Sequence, residues 1–337
     1  MTDEEQGLVR PETLFSFDTE YSADSCEYNP ELGILATGTY QVNKLNPESE
    51  SPETEKLGRI YLHKLTHTPN PDSQPESPVG LDSHLVSRLE SPAVLDMKWS
   101  MREPVLGVVN AKGQLVIYKY TPEEQTASML SSTDISEGLA LALEWNIYYD
   151  RIIVSDSKGK VRVLNYTDSE PVVINEYSEH GYESWTCCFS ARDPNLVFSG
   201  GDDCSLNCYD LRTDGLVHKN SKIHSMGVTA MISDREKEHQ LITGSYDEWL
   251  RRWDERNLKR EVDSIQVGGG VWRIKQRGQR FLVAAMHGGY LVLDNMDIIA
   301  RYKHGEESLS YGADWINDTT AASCSFYDHV LKLWRFS

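Results

Sequence analysis

Gly244-Ser245-Tyr246-Asp247-Glu248-Trp249-Leu250-Arg251-Arg252-Trp253 decides the fold, because the chain writes this stretch more than once. A small-residue strand, Leu241-Ile242-Thr243-Gly244-Ser245, runs into a tight polar turn. An alternating strand follows and ends on an aromatic. Ser325-Phe326-Tyr327-Asp328-His329-Val330-Leu331-Lys332-Leu333-Trp334 has the same form, as does Gly200-Gly201-Asp202-Asp203-Cys204-Ser205-Leu206-Asn207-Cys208-Tyr209. Weaker copies are Asn110-Ala111-Lys112-Gly113, Ser155-Asp156-Ser157-Lys158-Gly159 and Met286-His287-Gly288-Gly289. Aligning the turns makes positions 113, 159, 204, 248, 289 and 329 equivalent, at intervals of 46, 45, 44, 41 and 40 residues. Alternation along each strand means that one face packs against a neighbouring unit.

A period of about 40–45 residues with four strands per unit is that of a WD40 β-propeller. Six units are clear. A seventh comes first: Ala23-Asp24-Ser25-Cys26-Glu27-Tyr28, then Ile34-Leu35-Ala36-Thr37-Gly38-Thr39, then Arg59-Ile60-Tyr61-Leu62. The reading is an all-β, seven-bladed WD40 propeller over residues 13–337, forming a single domain. Residues 13–18 serve as the outer strand of the last blade. Ring closure removes the free strand edges that invite aggregation, so a monomer is expected. Residues 1–12 read as a flexible tail. Residues 41–57 and 67–91 break the period and hold six of the 13 prolines, so they read as disordered insertions.

Thirty-three Lys and Arg against 52 Asp and Glu give a net charge of −19. That balance argues against a nucleic-acid partner, which is held through Lys and Arg on phosphates. It suits a neutral or cationic partner. No run approaches the roughly 18 apolar residues of a membrane span. The acidic start Met1-Thr2-Asp3-Glu4-Glu5-Gln6 lacks the features of a secretory signal. Six cysteines without a CxxC pair read as reduced thiols in a cytoplasmic protein. No histidine or cysteine spacing suggests a metal.

A blade of this kind can be locked by a hydrogen-bonded His, Ser/Thr, Asp and Trp. The pattern predicts His224, Thr243, Asp247 and Trp253 in blade five. It predicts His180, Ser199 and Asp203 with Tyr209 in blade four. In blade seven it predicts His304, Asp328 and Trp334, with Cys324 at the hydroxyl position. These sets are structural, because three blades repeat them. His287 differs. It falls in the second-to-third-strand turn of blade six, before Gly288, and so has no place in a tetrad. Turns and innermost-strand starts on the same rim supply Asp24, Glu183, Trp185, Asp202, Tyr246, Trp272, Arg273, Tyr311, Tyr327 and His329. Carboxylates beside aromatic faces suit a quaternary ammonium group. Nucleophile-elbow, P-loop, HExxH and dinucleotide motifs are absent.

Further words of the sequence carry a family resemblance. They are Asp18-Thr19-Glu20, Gly38-Thr39-Tyr40-Gln41, Leu95-Asp96-Met97-Lys98-Trp99 and His224-Ser225-Met226-Gly227-Val228. More specific are Gly269-Gly270-Val271-Trp272-Arg273-Ile274-Lys275, Ala285-Met286-His287, Tyr311-Gly312-Ala313-Asp314-Trp315 and Cys324-Ser325-Phe326-Tyr327-Asp328-His329. Over roughly residues 17–336, outside the two insertions, the chain resembles the WD-repeat diphthine methyl esterases. Cys204 departs from the glycine usual at its turn. The resemblance implies a carboxylic ester hydrolase that needs neither metal nor cofactor. Its substrate is translation elongation factor 2 carrying methylated diphthine, and its product is diphthine on the way to diphthamide. On that basis His287 is expected as the base that activates water. Asp202 or Asp24 would orient it or hold the trimethylammonium group. Tyr246, Tyr327, Trp185 and Trp272 would form the cage, with Glu183, Tyr311 and His329 beside it. Arg273, or the N–H groups of Gly288 and Gly289, would stabilise the oxyanion. Attack by Ser245 or Cys204 is an alternative chemistry. A non-catalytic WD40 scaffold or adaptor that binds the elongation factor or other proteins is the alternative function.

Overall fold

The computed structural model describes residues 8–45, 53–68, 80–167, 170–213, 215–305 and 308–336, and these contain strands and no helix. The strands form seven four-stranded antiparallel sheets. Six blades are continuous in sequence: 22–92, 94–134, 140–177, 184–220, 228–266 and 273–302. The seventh takes three strands from 310–335 and its outer strand, Glu12–Asp18, from the other end of the chain. Glu12 pairs with Arg335 and Asp18 with Val330. Ala23, Cys26 and Leu35 of blade one pack with Cys324, Leu331 and Leu333 of blade seven, which seals the ring.

The six positions that set the sequence period share one backbone state. Gly113, Gly159, Cys204, Glu248, Gly289 and His329 all have positive φ, between 54° and 87°. Each sits at the corner of the turn between second and third strands. There Cys204 N–H donates to Gly201 O at 3.1 Å and Glu248 N–H to Ser245 O at 3.2 Å. Glycine takes this conformation without penalty, and Cys204, Glu248 and His329 do not.

Blade packing explains a second repeated glycine. A Cβ on Gly244 would lie 2.2 Å from Cγ1 of Val271, two residues ahead of blade six. Gly38 meets Val94 and Gly200 meets Val228 in the same way. The missing side chain opens a slot that the valine of the next blade fills completely. Each such valine contributes about 1.5–3 kcal/mol by leaving water.

The tetrads are partly as the pattern predicts. In blade four His180 bridges Asp203 at 2.8 Å and Ser199 at 2.7 Å, and Ser199 reaches the Tyr209 hydroxyl at 3.3 Å. In blade five His224 and Trp253 both meet Thr243 Oγ1, at 3.0 and 2.8 Å. Asp247 instead pairs with Arg251 at 2.9 Å, and His224 Nδ1 has no partner. In blade seven the hydroxyl is Ser323, not Cys324. It bonds His304 at 2.7 Å and Trp334 at 2.9 Å. A one-residue offset in a strand moves a side chain to the other face, and Cys324 lies on the face packed against blade one.

The expected insertions also need correction. Gln41–Leu45 pairs with residues 53–57, so the second and third strands of blade one extend as a hairpin. Gly80–Pro92 is the outer strand of that blade. Polar composition suggested disorder. The ladder nevertheless skips Val86, and this bulge lets Val86 and Leu89, three residues apart, both pack against the core. Residues 46–52 and 69–79 lie outside the described residues, as do residues 1–7 of the expected tail. Val9, within that tail, forms a parallel bridge to Ala300.

Candidate active site

The site starts from an irregularity in the innermost strands. Six of the seven shift register one residue after the strand begins. The residues skipped are Asp24, Leu95, Leu141, Trp185, Thr229 and Tyr311. Trp272 holds the same place in blade six, just before its ladder begins at Arg273. A bulge leaves one residue unpaired and re-aims its side chain. At the same register in every blade, this makes a ring of seven side chains at the mouth of the channel. Two are tryptophan, one is tyrosine and one is aspartate.

The aromatic members meet across the axis. Trp185 of blade four lies 5.8 Å from Trp272 of blade six, although blade five separates them along the ring. Trp272 stacks on Tyr311 at 4.8 Å and faces Tyr246 at 6.1 Å. Tyr311 continues to Phe326 at 5.0 Å, and Phe326 to Tyr327 at 5.4 Å and Tyr40 at 6.4 Å. Asp202 Oδ1 accepts the Trp185 indole N–H at 3.1 Å and so fixes that ring.

Asp24 is the buried acid of this mouth. Its Oδ2 has no hydrogen-bond partner, and its carboxyl makes no ion pair among the described residues. Burial pushes its pKa up from 3.8 to about 7. Arg273 works against that rise and Asp96 adds to it. Burial raises the phenols of Tyr40, Tyr246 and Tyr311 first; the Asp24 charge comes next at Tyr40 and Tyr311, and follows the Asp202 charge at Tyr246, which reaches about 12. All three therefore keep their protons at neutral pH and remain donors. The Trp272 indole N–H is also buried without a partner.

Below the mouth runs a channel of about 460 Å³, lined by Thr229, Trp272 and Arg273 at one end and Met101, Arg235 and Arg277 at the other. Its wall is charged. Asp96 of blade two binds Arg273 of blade six at 2.9 Å and Lys98 at 2.8 Å. Glu27 binds Lys98 at 2.8 Å and also pairs with Lys275. Asp314, 3.8 Å from Lys275, accepts Tyr28 N–H at 2.7 Å, and Glu144 accepts Phe189 N–H at 2.7 Å. Glu27, Asp96 and Asp314 thus share Lys98, Arg273 and Lys275, while Asp24 and Glu144 make no ion pair among the described residues. Burial raises Asp24, Glu144 and Asp314, the last to about 6, against the pull of the nearby cations.

The structure brings together Asp24, Trp185, Asp202, Tyr246, Trp272, Arg273, Tyr311 and Tyr327. It treats the other predicted residues differently. His287 is exposed and makes no hydrogen bond, ion pair or ring contact among the described residues. Gly288 N–H is held by Ala285 O at 2.6 Å and Gly289 N–H by Met286 O at 3.3 Å, so neither is free for an oxyanion. The Arg273 guanidinium is committed to Asp96. His329 forms the left-handed corner of its turn and offers its carbonyl to Thr19 N–H at 2.8 Å. Glu183 fixes the turn through its carbonyl, which accepts Asp202 N–H at 2.8 Å. Sequence reasoning missed Tyr40, Phe326 and the channel charges. The charges had a signal: Glu27, Lys98, Glu144, Lys275 and Asp314 are polar residues at one register of otherwise apolar strands, each three residues after the bulge position.

Fold and site define a seven-bladed WD40 propeller with an aromatic, acid-bearing channel mouth. Comparison with solved structures agrees on the fold. A chain of a mitotic checkpoint complex crystal structure superposes with a TM-score of 0.70 at 15% identity, covering 96% of this chain and 91% of that one. No family model matches the sequence. Whole-chain relatives are more specific. A diphthine methyltransferase homolog of Dictyostelium discoideum is 32% identical over 94% of this chain and 96% of its own length. The diphthine methyltransferase of Mus musculus is 34% identical over 94% of this chain and 71% of its own. That of Schizosaccharomyces pombe is 29% identical over 98% and 99%. The chain belongs to the diphthine methyltransferase family.

Proposed function

We propose that this protein hydrolyses the methyl ester of methylated diphthine on translation elongation factor 2, giving diphthine for conversion to diphthamide. The relatives are named for an enzyme acting on diphthine. The observation that carries the hydrolytic reading is Asp24, a buried carboxyl without a partner, titrating near neutrality among aromatic rings.

The substrate group carries a trimethylammonium and a methyl ester. Tyr246, Trp272 and Tyr311 offer ring faces to the cation, an attraction of about 1–2 kcal/mol once desolvated. Cation binding near Asp24 lowers its pKa by Coulomb attraction, so the carboxyl is ionised when the complex forms. Asp24 then takes a proton from water as the water oxygen bonds to the ester carbon. Phenols of Tyr246 or Tyr311 donate to the resulting oxyanion. Collapse breaks the carbon–methoxy bond, and methoxide leaves as methanol with the proton from Asp24. Asp202 acts by holding Trp185. Tyr182, Met226 and Tyr327, exposed by 65%, 51% and 64%, stand on the same face and meet the elongation factor. His287, His329 and Glu183 belong to that contact surface. The protein then works as a monomer in the cytoplasm, where its substrate is.

The test is incubation with elongation factor 2 carrying methylated diphthine, followed by mass spectrometry. Loss of one methylene mass with release of methanol supports the reading. Binding without mass change supports an adaptor, which has no use for an unpaired buried acid.

A further inference from the structure

Asp24 has company that its mechanism does not yet use. Charged and titratable groups face it from every element around it: Arg273 from blade six, Asp96 from blade two, and the phenols of Tyr40, Tyr246 and Tyr311. Arg273 is the one cation among them, yet it makes no contact with Asp24. Its Nη1 lies 2.9 Å from Asp96 Oδ1. The same oxygen takes Lys98 Nζ at 2.8 Å and Met97 N–H at 2.9 Å, while Asp96 Oδ2 takes Leu143 N–H at 3.2 Å. Asp96 is thereby fully satisfied and nearly inaccessible.

The geometry points to Asp96 as a positioning residue for the reacting acid: by holding Arg273 of blade six from blade two, it denies Asp24 an ion pair. The inference deepens the hydrolytic reading and rests on it for its consequence in catalysis. Its physical content stands apart from that reading. A buried arginine seeks a carboxylate, because a lone buried charge is costly. Three carboxylates are within its electrostatic reach, Asp96, Asp24 and Glu27, and Glu27 is already paired with Lys98 and Lys275. Asp96 wins because two backbone N–H groups and a second cation already favour its ionised form, which holds its pKa below the ordinary carboxylate value against burial. Asp24 has no such donors. Were Arg273 to turn to Asp24, the acid would become a permanently ionised salt-bridge partner, too weak a base for water. The arrangement places two like carboxyls around one cation and pushes their proton affinities apart, which is how acid and base roles are separated elsewhere.

The test is Asp96→Asn in the full chain, read in two ways. Carbon-13 NMR of aspartate-labelled protein, with the Asp24 signal assigned by its loss in Asp24→Asn, gives the titration midpoint directly. The pH profile of kcat/KM gives it through activity. Asp96→Asn frees Arg273, so both midpoints move down by about one pH unit or more, and activity at pH 6 relative to pH 8 rises about fivefold. Lys98→Met removes a cation from Asp96 and leaves Arg273 bound there, so the Asp24 midpoint stays or rises. An unchanged midpoint in Asp96→Asn, or a fall in Lys98→Met, overturns the inference. Should Asp96→Asn not fold, the direction in Lys98→Met decides. The NMR midpoint is measurable in a protein with no esterase activity, so failure of the hydrolytic reading is told apart from failure of this one.

Discussion

Replacing Asp24 by Asn is expected to stabilise the protein while removing its activity. The carboxyl rises from 3.8 to about 7 on folding. Its folded-state pKa is above its unfolded value, so between about pH 4 and 7 the folded chain binds the extra proton. Stability therefore falls as pH rises through that window, and the loss is complete above it. A rise of that size disfavours the ionised form by about 4 kcal/mol. Asparagine escapes this penalty. It keeps a polar group that needs a partner and leaves Arg273 with less negative charge nearby, which together return about 1–3 kcal/mol. The net gain at pH 8 is therefore about 1–3 kcal/mol, and it vanishes near pH 4, where the wild-type acid is protonated. Urea unfolding of both proteins at pH 8 and pH 4 measures it. A variant that is equal to or weaker than wild type at pH 8 refutes the claim that Asp24 is a strained, unpaired acid.

Three further outcomes follow from particular residues. His63, His224 and His304 are buried, and burial lowers their pKa to about 4, 3 and 3. Unfolded histidines charge near pH 6.5, so stability is full above that value. It falls toward pH 4 by up to about 4 kcal/mol per pH unit for the three together, and His63→Phe, beside Phe15 and Phe17, removes about a third of the slope in acid unfolding. Cys204→Gly relieves a non-glycine residue at φ 61° and should raise stability by up to about 1 kcal/mol by thermal unfolding, whereas Gly244→Ala drives a methyl into Val271 and should cost about 1–3 kcal/mol. His287→Ala should leave kcat within about twofold, while Trp272→Leu, which removes a ring face of the cation site, should lower kcat/KM by about tenfold or more in the same ester assay.

The ring of blades was legible because a propeller repeats its turn chemistry. The turn corners recur as left-handed residues, and the slots recur as glycines beside valines. Both leave marks in the sequence at a fixed spacing. The strands of blade one beyond residue 41 were not legible. Their pairing comes from the partner strand and a few inward side chains such as Val86 and Leu89, not from their polar composition. The site was legible as a set of rim residues and not as a set of roles. Sequence puts His287 and Asp24 on one rim. Only burial and electrostatics separate an exposed imidazole, without a hydrogen bond or ion pair among the described residues, from a buried carboxyl whose charge reaches Tyr40, Tyr246 and Tyr311. Arg273 was visible, but its commitment to Asp96 depends on blades two and six facing each other across the axis, which no local pattern records. The net charge of −19 likewise divides only in three dimensions: besides the acids on the surface, five carboxyls line the mouth and the channel, and others such as Asp156 and Glu255 are buried within blades.

The account turns on Asp24 being the group whose ionisation drives ester hydrolysis. The most direct measurement is the pH dependence of kcat/KM for methyl ester loss from elongation factor 2, wild type beside Asp24→Asn. The account predicts an acid limb near pH 7 in the wild type and, in the variant, a rate at least about a hundredfold lower with no limb there. Hydrolysis by Asp24→Asn at the wild-type rate, with the limb still in place, would contradict it.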